Sequence, residues 1–111
     1  MGAKANIIID QGADFSTSIT VSDTAGNIID LTGYTGRGQI RKHYTSSTKV
    51  DFTFGFGSPR TDGVVTLSLS NANTAAMESG RYVYDAELIT SGGVVSRMLE
   101  GLATVTPEVT R

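Results

Sequence analysis

Cysteine and tryptophan are absent from the 111 residues, histidine occurs once and proline twice. Without cysteine there is no disulfide framework, no thiolate metal site and no sulfur nucleophile. With His43 as the single histidine, a histidine metal cluster is excluded, and a Ser-His-Asp arrangement must be built on that residue alone. Charge is scarce too: nine Lys or Arg against eleven Asp or Glu give a formal net charge of -2. No strong field then draws the chain to nucleic acid or anionic lipid, and neither is expected as a partner. No apolar run approaches the roughly 20 residues of a membrane helix, and the N-terminus carries no signal-peptide core. Asn6 stands where a myristoylation motif needs a hydroxyl, so no lipid anchor is expected.

What remains is glycine, 13 residues, and serine plus threonine, about a quarter of the chain, well above ordinary usage. Apolar residues recur with period two and not at helical spacing, which marks an all-β chain. At roughly one to two hundred residues per domain, this length gives one domain. The expected organisation is a flexible 1–5, a β-sandwich over 6–106 and a tail over 107–111.

Asn6–Asp10 reads as the first strand. Phe15–Ser22 follows, with Phe15, Thr17, Ile19 and Val21 on one face and Ser16, Ser18, Thr20 and Ser22 on the other. Asp23–Asn27 is a turn, because Asp bonds its own downstream backbone and Gly26 supplies positive φ. Asn27–Leu31 reads as a short strand and Tyr34–Tyr44 as a longer one, in which Gly36 and Gly38 signal a bulge or a close backbone approach. Lys49–Phe56 reads as one strand with Phe52, Phe54 and Phe56 on its inner face. Gly57–Gly63 is the longest expected loop. Val65, Leu67 and Leu69 alternate in the next strand. Ser70–Ser79 predicts a short helical turn capped by Asn71 or Asn73. Arg81–Ile89 carries Tyr82, Tyr84, Ala86 and Leu88 on one side and Val83, Asp85 and Glu87 on the other. Ser91-Gly92-Gly93 is a hairpin turn, and Val94–Val105 returns with an interruption at Gly101. Seven or eight strands at this spacing predict a two-sheet antiparallel β-sandwich with one short helical turn near 71–79.

Each candidate for chemistry has a plainer structural explanation. No G-x-S-x-G surrounds any serine, and His43 follows Arg41 and Lys42 at a strand end, where it faces solvent. Asp85 and Glu87 share a strand face as paired glycosidase carboxylates do, and so do polar outer faces of sandwiches. Asp10-Gln11-Gly12-Ala13-Asp14 lacks the calcium-loop spacing. Gly33-Tyr34-Thr35-Gly36-Arg37-Gly38 matches no phosphate-loop pattern and precedes a strand. Phe52, Phe54 and Phe56 are needed for the core before they can serve as a base-stacking platform. The basic residues Arg37, Arg41, Lys42 and His43 divide between two faces of a strand. No catalytic, metal or cofactor-binding residue is expected, and no cofactor.

Ser79-Gly80-Arg81-Tyr82-Val83-Tyr84, after the turn at Thr74–Met77, resembles the corner before strand F of immunoglobulin-like domains, with Tyr82 as the corner tyrosine. Tyr84 stands where true immunoglobulin domains place their second cysteine, so the likeness is one of architecture. Further segments are Ile9-Asp10-Gln11-Gly12 with Phe15, Gly26-Asn27, Asp30-Leu31-Thr32-Gly33-Tyr34, Gln39-Ile40-Arg41 and Glu100-Gly101. With Val105-Thr106-Pro107-Glu108-Val109-Thr110, they give a chain similar to small virion structural proteins of tailed phages, particularly those of marine cyanobacteria. That resemblance implies an immunoglobulin-like, non-enzymatic virion component, a capsid decoration or a tail or baseplate subunit, located in the virion. Its partners would be other virion proteins, with a homo-oligomer as one possibility. Asn6–Asp10 and Thr106–Arg111 are the segments expected to pair with neighbours. The alternative is a glycan or cell-surface binding module using the loop Gly57–Gly63 with Tyr34 or Tyr44.

Overall fold

The computed structural model describes residues 3–109 apart from 24. Among the described residues, β1 (Ala3–Lys4), β2 (Ile7–Asp10), β3 (Phe15–Thr20), β4 (Thr35–Arg41) and β5 (Lys49–Asp51) precede β6 (Thr53–Phe56) and β7 (Val64–Leu69). The helical turn α1 (Asn71–Ala75), β8 (Gly80–Ile89) and β9 (Val95–Thr106) complete the chain. The strands form an all-β sandwich of two sheets. One runs β1-β9-β8-β4-β5, with β2 also on β9, and the other runs β3-β7-β6. Placing β4, β8 and β9 in one sheet and β3, β7 and β6 in the other is the immunoglobulin-like division of strands.

Period-two alternation builds the core between the sheets. Ile40, Val65, Leu67, Ala86, Leu88, Ala103 and Val105 are buried from facing strands, and Ile9 and Leu31 fill the ends. On β3 the expected stripe holds: Ser16, Ser18 and Thr20 are exposed, and Phe15, Thr17 and Ile19 are half-buried. Phe52 packs edge-on to Tyr84 at 6.0 Å and beside Phe15 at 6.4 Å. The three phenylalanines are therefore core and not a platform. Tyr82 closes the corner as the sequence predicts, its hydroxyl donating to the Glu78 carbonyl at 2.8 Å.

Several expectations are corrected. The sandwich is not wholly antiparallel, since β1 and β2 run parallel to β9. Almost the whole chain separates these partners, which supplies the long connection that parallel pairing requires. The stretch 1–5, expected to be flexible, pairs from Ala3, and the Ala5 amide donates to the Glu100 carbonyl at 2.9 Å. Residues 1 and 2 lie outside the described residues, as do 110 and 111 of the expected tail.

Lys49–Phe56 is not one strand. It changes sheets at Phe52, whose amide still bonds Gly38 of β4 at 2.9 Å while β6 pairs with β7. Asn27–Leu31 contributes only a single bridge, Ser22 to Ile28. The turn before it is as expected, with Asp23 Oδ1 accepting from the Ala25 and Asn27 amides, both at 2.9 Å, and Gly26 at φ 87°; residue 24 is outside the described residues. The loop Gly57–Gly63 contains a 3-10 turn, Arg60–Asp62. Ser70, not Asn71 or Asn73, caps α1, its Oγ accepting from the Asn73 amide at 3.3 Å.

Gly36 is a close approach and not a bulge: a Cβ there would collide with the Phe54 ring. Gly101 is the same, because a Cβ would enter the Ala5 carbonyl. The bulge lies nearby, where Ala86 pairs with Leu99 but Glu87 pairs with Arg97.

Candidate functional site

The outer face of the larger sheet is concave. A shallow depression of about 390 Å³ lies over β4, β8 and β9, lined by Arg37, Gln39, Arg41, Val83, Asp85 and Arg97 among others. Alternation aims the odd-numbered side chains of β4 and β8 outward, which brings Arg37, Gln39 and Arg41 alongside Val83, Asp85 and Glu87. Register then fixes the pairs. Gln39 is opposite Asp85, Arg37 opposite Glu87 and Arg41 opposite Val83.

On β9 the same outcome needs the bulge. Asp85 pairs with Glu100 and Glu87 with Arg97, so three residues of β8 span four of β9, and Met98 is the extra one. Met98 and Leu99 are both buried, and Arg97 and Glu100 emerge together on the outer face. Arg97 bonds Glu100 at 2.9 Å and lies 3.5 Å from Asp85. Arg37 bonds Glu87 at 2.7 Å. Arg41 donates to the Ser46 carbonyl and to Gln39 Oε1, the latter at 2.9 Å. Three arginines thus stand among three carboxylates, and Tyr44, 85% exposed, forms the rim.

Burial raises the Asp85 carboxyl above its ordinary pKa; Arg97 opposes this, Glu87 and Glu100 reinforce it, and Arg37 opposes it. The paired carboxylates noted in the sequence do share a face, but each lies beside an arginine. What the arrangement offers is a fixed lattice of donors and acceptors around a small apolar patch at Val83. Sequence reasoning found Asp85 and Glu87 and missed Arg97 and Glu100, since three-residue spacing on a regular strand would put those two on opposite faces. The adjacent apolar residues Met98 and Leu99 were the available signal.

The remaining sequence candidates are engaged elsewhere. His43 is exposed beyond the end of β4. Lys42 lies over the Tyr82 ring at 4.6 Å. Asp10 accepts from the hydroxyl of its cross-strand partner Thr106 at 2.8 Å, and Asp14 accepts from the Asn71 amide at the start of α1 at 2.8 Å, so the two carboxylates tie segments distant in sequence together. Thr35–Gly38 lies in the β4–β8 ladder. Tyr34 and Tyr44 flank opposite ends of β4. The loop Gly57–Gly63 meets Tyr34 through Arg60, which donates to the carbonyls of Leu31 at 3.2 Å and Tyr34 at 2.6 Å and covers the Phe56 ring at 4.2 Å.

No family model matches the chain, and no curated protein matches it. Among solved structures, the chain is similar to the Listeria monocytogenes internalin-like protein lmo2027, at 15% identity and a TM-score of 0.46. The match covers 95% of this chain and 28% of that one, so the chain spans under a third of its length.

Proposed function

We propose that the protein is a non-enzymatic structural subunit of a tailed-phage virion, acting through protein–protein contacts. The observation that carries this reading is the chemical asymmetry of the two outer faces. On the smaller sheet the outward side chains are Ser16, Ser18, Thr20, Thr53, Thr66 and Ser68, with Val64 at one end, an uncharged and mostly hydroxylated surface. On the larger sheet they include Arg37, Arg41, Arg97 and the rim residue Tyr44, set in a depression. Arginine and tyrosine are enriched at protein interfaces and at their energetic centres. The resemblance of the sequence to small phage virion proteins supplies the context, with capsid decoration and tail or baseplate subunit as the two placements.

Mass spectrometry of purified virions separated into heads and tails tests the proposal. Presence in one fraction assigns the placement, and absence from both overturns the reading. Within the particle, Arg97→Glu places four carboxylates on the face and is expected to abolish incorporation, with the variant's thermal melt recorded beside the parent's to separate a lost contact from a lost fold.

A second reading has one observation in its favour: the depression balances three arginines against three carboxylates beside an exposed tyrosine. A neutral polyhydroxylated ligand such as a glycan uses the spare lone pairs without breaking an ion pair. Binding on a glycan array that Tyr44→Ala removes would establish it in place of the docking face.

A further inference from the structure

We propose that the open edge of β3 is a self-association site, at which a second copy of this chain adds its own β3 antiparallel to the first. The inference is independent of the virion reading.

The direction of the backbone groups follows from two hydrogen bonds. The Val21 amide donates to the Gly63 carbonyl at 2.7 Å, and the Gly57 amide to the Val64 carbonyl at 2.9 Å. With the registers of the two strand pairs, antiparallel alternation then turns Phe15, Thr17 and Ile19 toward β7. The amides and carbonyls of Ser16, Ser18 and Thr20 point away, to the edge. Among the described residues these groups have no backbone partner.

Other edges are blunted. β5 has three residues and carries the Lys49–Asp51 ion pair at 3.2 Å, and β6 has four residues interrupted by Gly55. β2 has four and ends in Asp10. β3 is the longest, with six residues, Phe-Ser-Thr-Ser-Ile-Thr, and has neither charge, proline nor bulge. These are the devices by which sheet edges avoid pairing.

The occupant follows from symmetry. An antiparallel partner with outward groups at alternate positions fits, and β3 itself supplies one about a two-fold axis at Ser18, the closed symmetry commonest for two copies of one chain. Ser18 then faces Ser18 of the second copy and Ser16 faces its Thr20, giving three hydrogen-bonded pairs that each exchange two bonds. The hydroxyl row on this face has no charge to repel a copy of itself, and Thr17 meets the second copy's Ile19 on the inner side.

The test uses the full chain. Ser18→Pro removes an amide with no partner in the single chain, so the monomer fold is kept while the edge is blocked; Ser18→Lys blocks it by charge repulsion and serves where the proline variant fails to fold. In sedimentation equilibrium the parent chain is expected to reach twice the monomer mass as concentration rises, with both variants remaining monomeric. Amide exchange at Ser16, Ser18 and Thr20 should slow with concentration, with Thr17 and Ile19 unchanged. A parent chain that stays monomeric, or folded variants that still dimerise, would overturn the proposal.

Discussion

Arg97 and Glu100 are three residues apart on one strand, yet their side chains meet on the same face at 2.9 Å. The bulge at Met98 makes this possible, and it resolves an electrostatic conflict. Asp85 and Glu100 are cross-strand neighbours, and like charges so placed are destabilising. Arg97 reaches both carboxylates only because the bulge turns it outward. The concave face therefore depends on a backbone irregularity as much as on its charges.

Asp85 makes the sign of the pH dependence specific. Its carboxyl is raised by burial against the pull of Arg97, so the native state holds its proton to higher pH than the unfolded chain. Stability accordingly falls as pH rises from about 4 through the raised native value. Asp85→Asn removes this loss. Thermal melts from pH 3 to 7 should show the variant gaining on the parent as pH rises. Asp30 has the opposite sign: the Thr32 hydroxyl, and then the Thr32 amide, lower its pKa. Its contribution is present above about pH 4 and is lost as pH falls through the lowered native value. Asp30→Asn should therefore lose ground to the parent over the same rise in pH. Flat differences for both would refute the assignment.

The two strand-β8 tyrosines hold different segments by their hydroxyls. Tyr82 donates to Glu78 across the corner at 2.8 Å, and Tyr84, buried, donates to Ala5 at 2.6 Å. Each Tyr→Phe change deletes one hydrogen bond and should cost about 1 kcal/mol in urea unfolding. They separate by location. Tyr84→Phe should speed exchange at the Ala5 amide, and Tyr82→Phe should leave that amide unchanged.

Alternation made the inner stripes of β3, β7 and β8 readable, because one face is buried and the other wet. It could not reveal where a strand changes partners. Phe52, Phe54 and Phe56 keep one parity through the switch from β5 to β6, so the pattern is the same whether or not the sheet changes. Ile28 and Ile29 looked like strand residues, but Ile28 is 58% exposed and makes a single bridge. The concave site was half legible for the same reason: Asp85 and Glu87 obey the period, and Arg97 and Glu100 break it.

Gly101 gives a steric prediction. A side chain there must displace backbone, the Ala5 carbonyl, and not the end of a flexible group. Gly101→Ala is expected to detach β1 from β9 and to cost about 1–3 kcal/mol, as overpacking does. Limited proteolysis should then cut near Lys4, where the parent resists. If the variant keeps the parent's cleavage pattern and stability, the close approach is not a constraint.

Arg60 lies in the loop Gly57–Gly63 and is the residue that ties that loop to the sandwich. Its guanidinium donates to the Leu31 and Tyr34 carbonyls and lies 4.2 Å from the centre of the Phe56 ring, joining the turn before β4 to the 3-10 turn before β7. Both carbonyls are served by the single Nη1 nitrogen, and a lysine can supply the charge and donors there but no planar group to lie on the Phe56 ring at the same time. Arg60→Ala should cost about 1–3 kcal/mol, the range for leaving partly buried acceptors without their charged donor. Arg60→Lys should recover less than half of that loss. Chemical denaturation of the three proteins decides it: full rescue by lysine would mean that charge alone holds the loop, and that the guanidinium plane on the Phe56 ring contributes nothing.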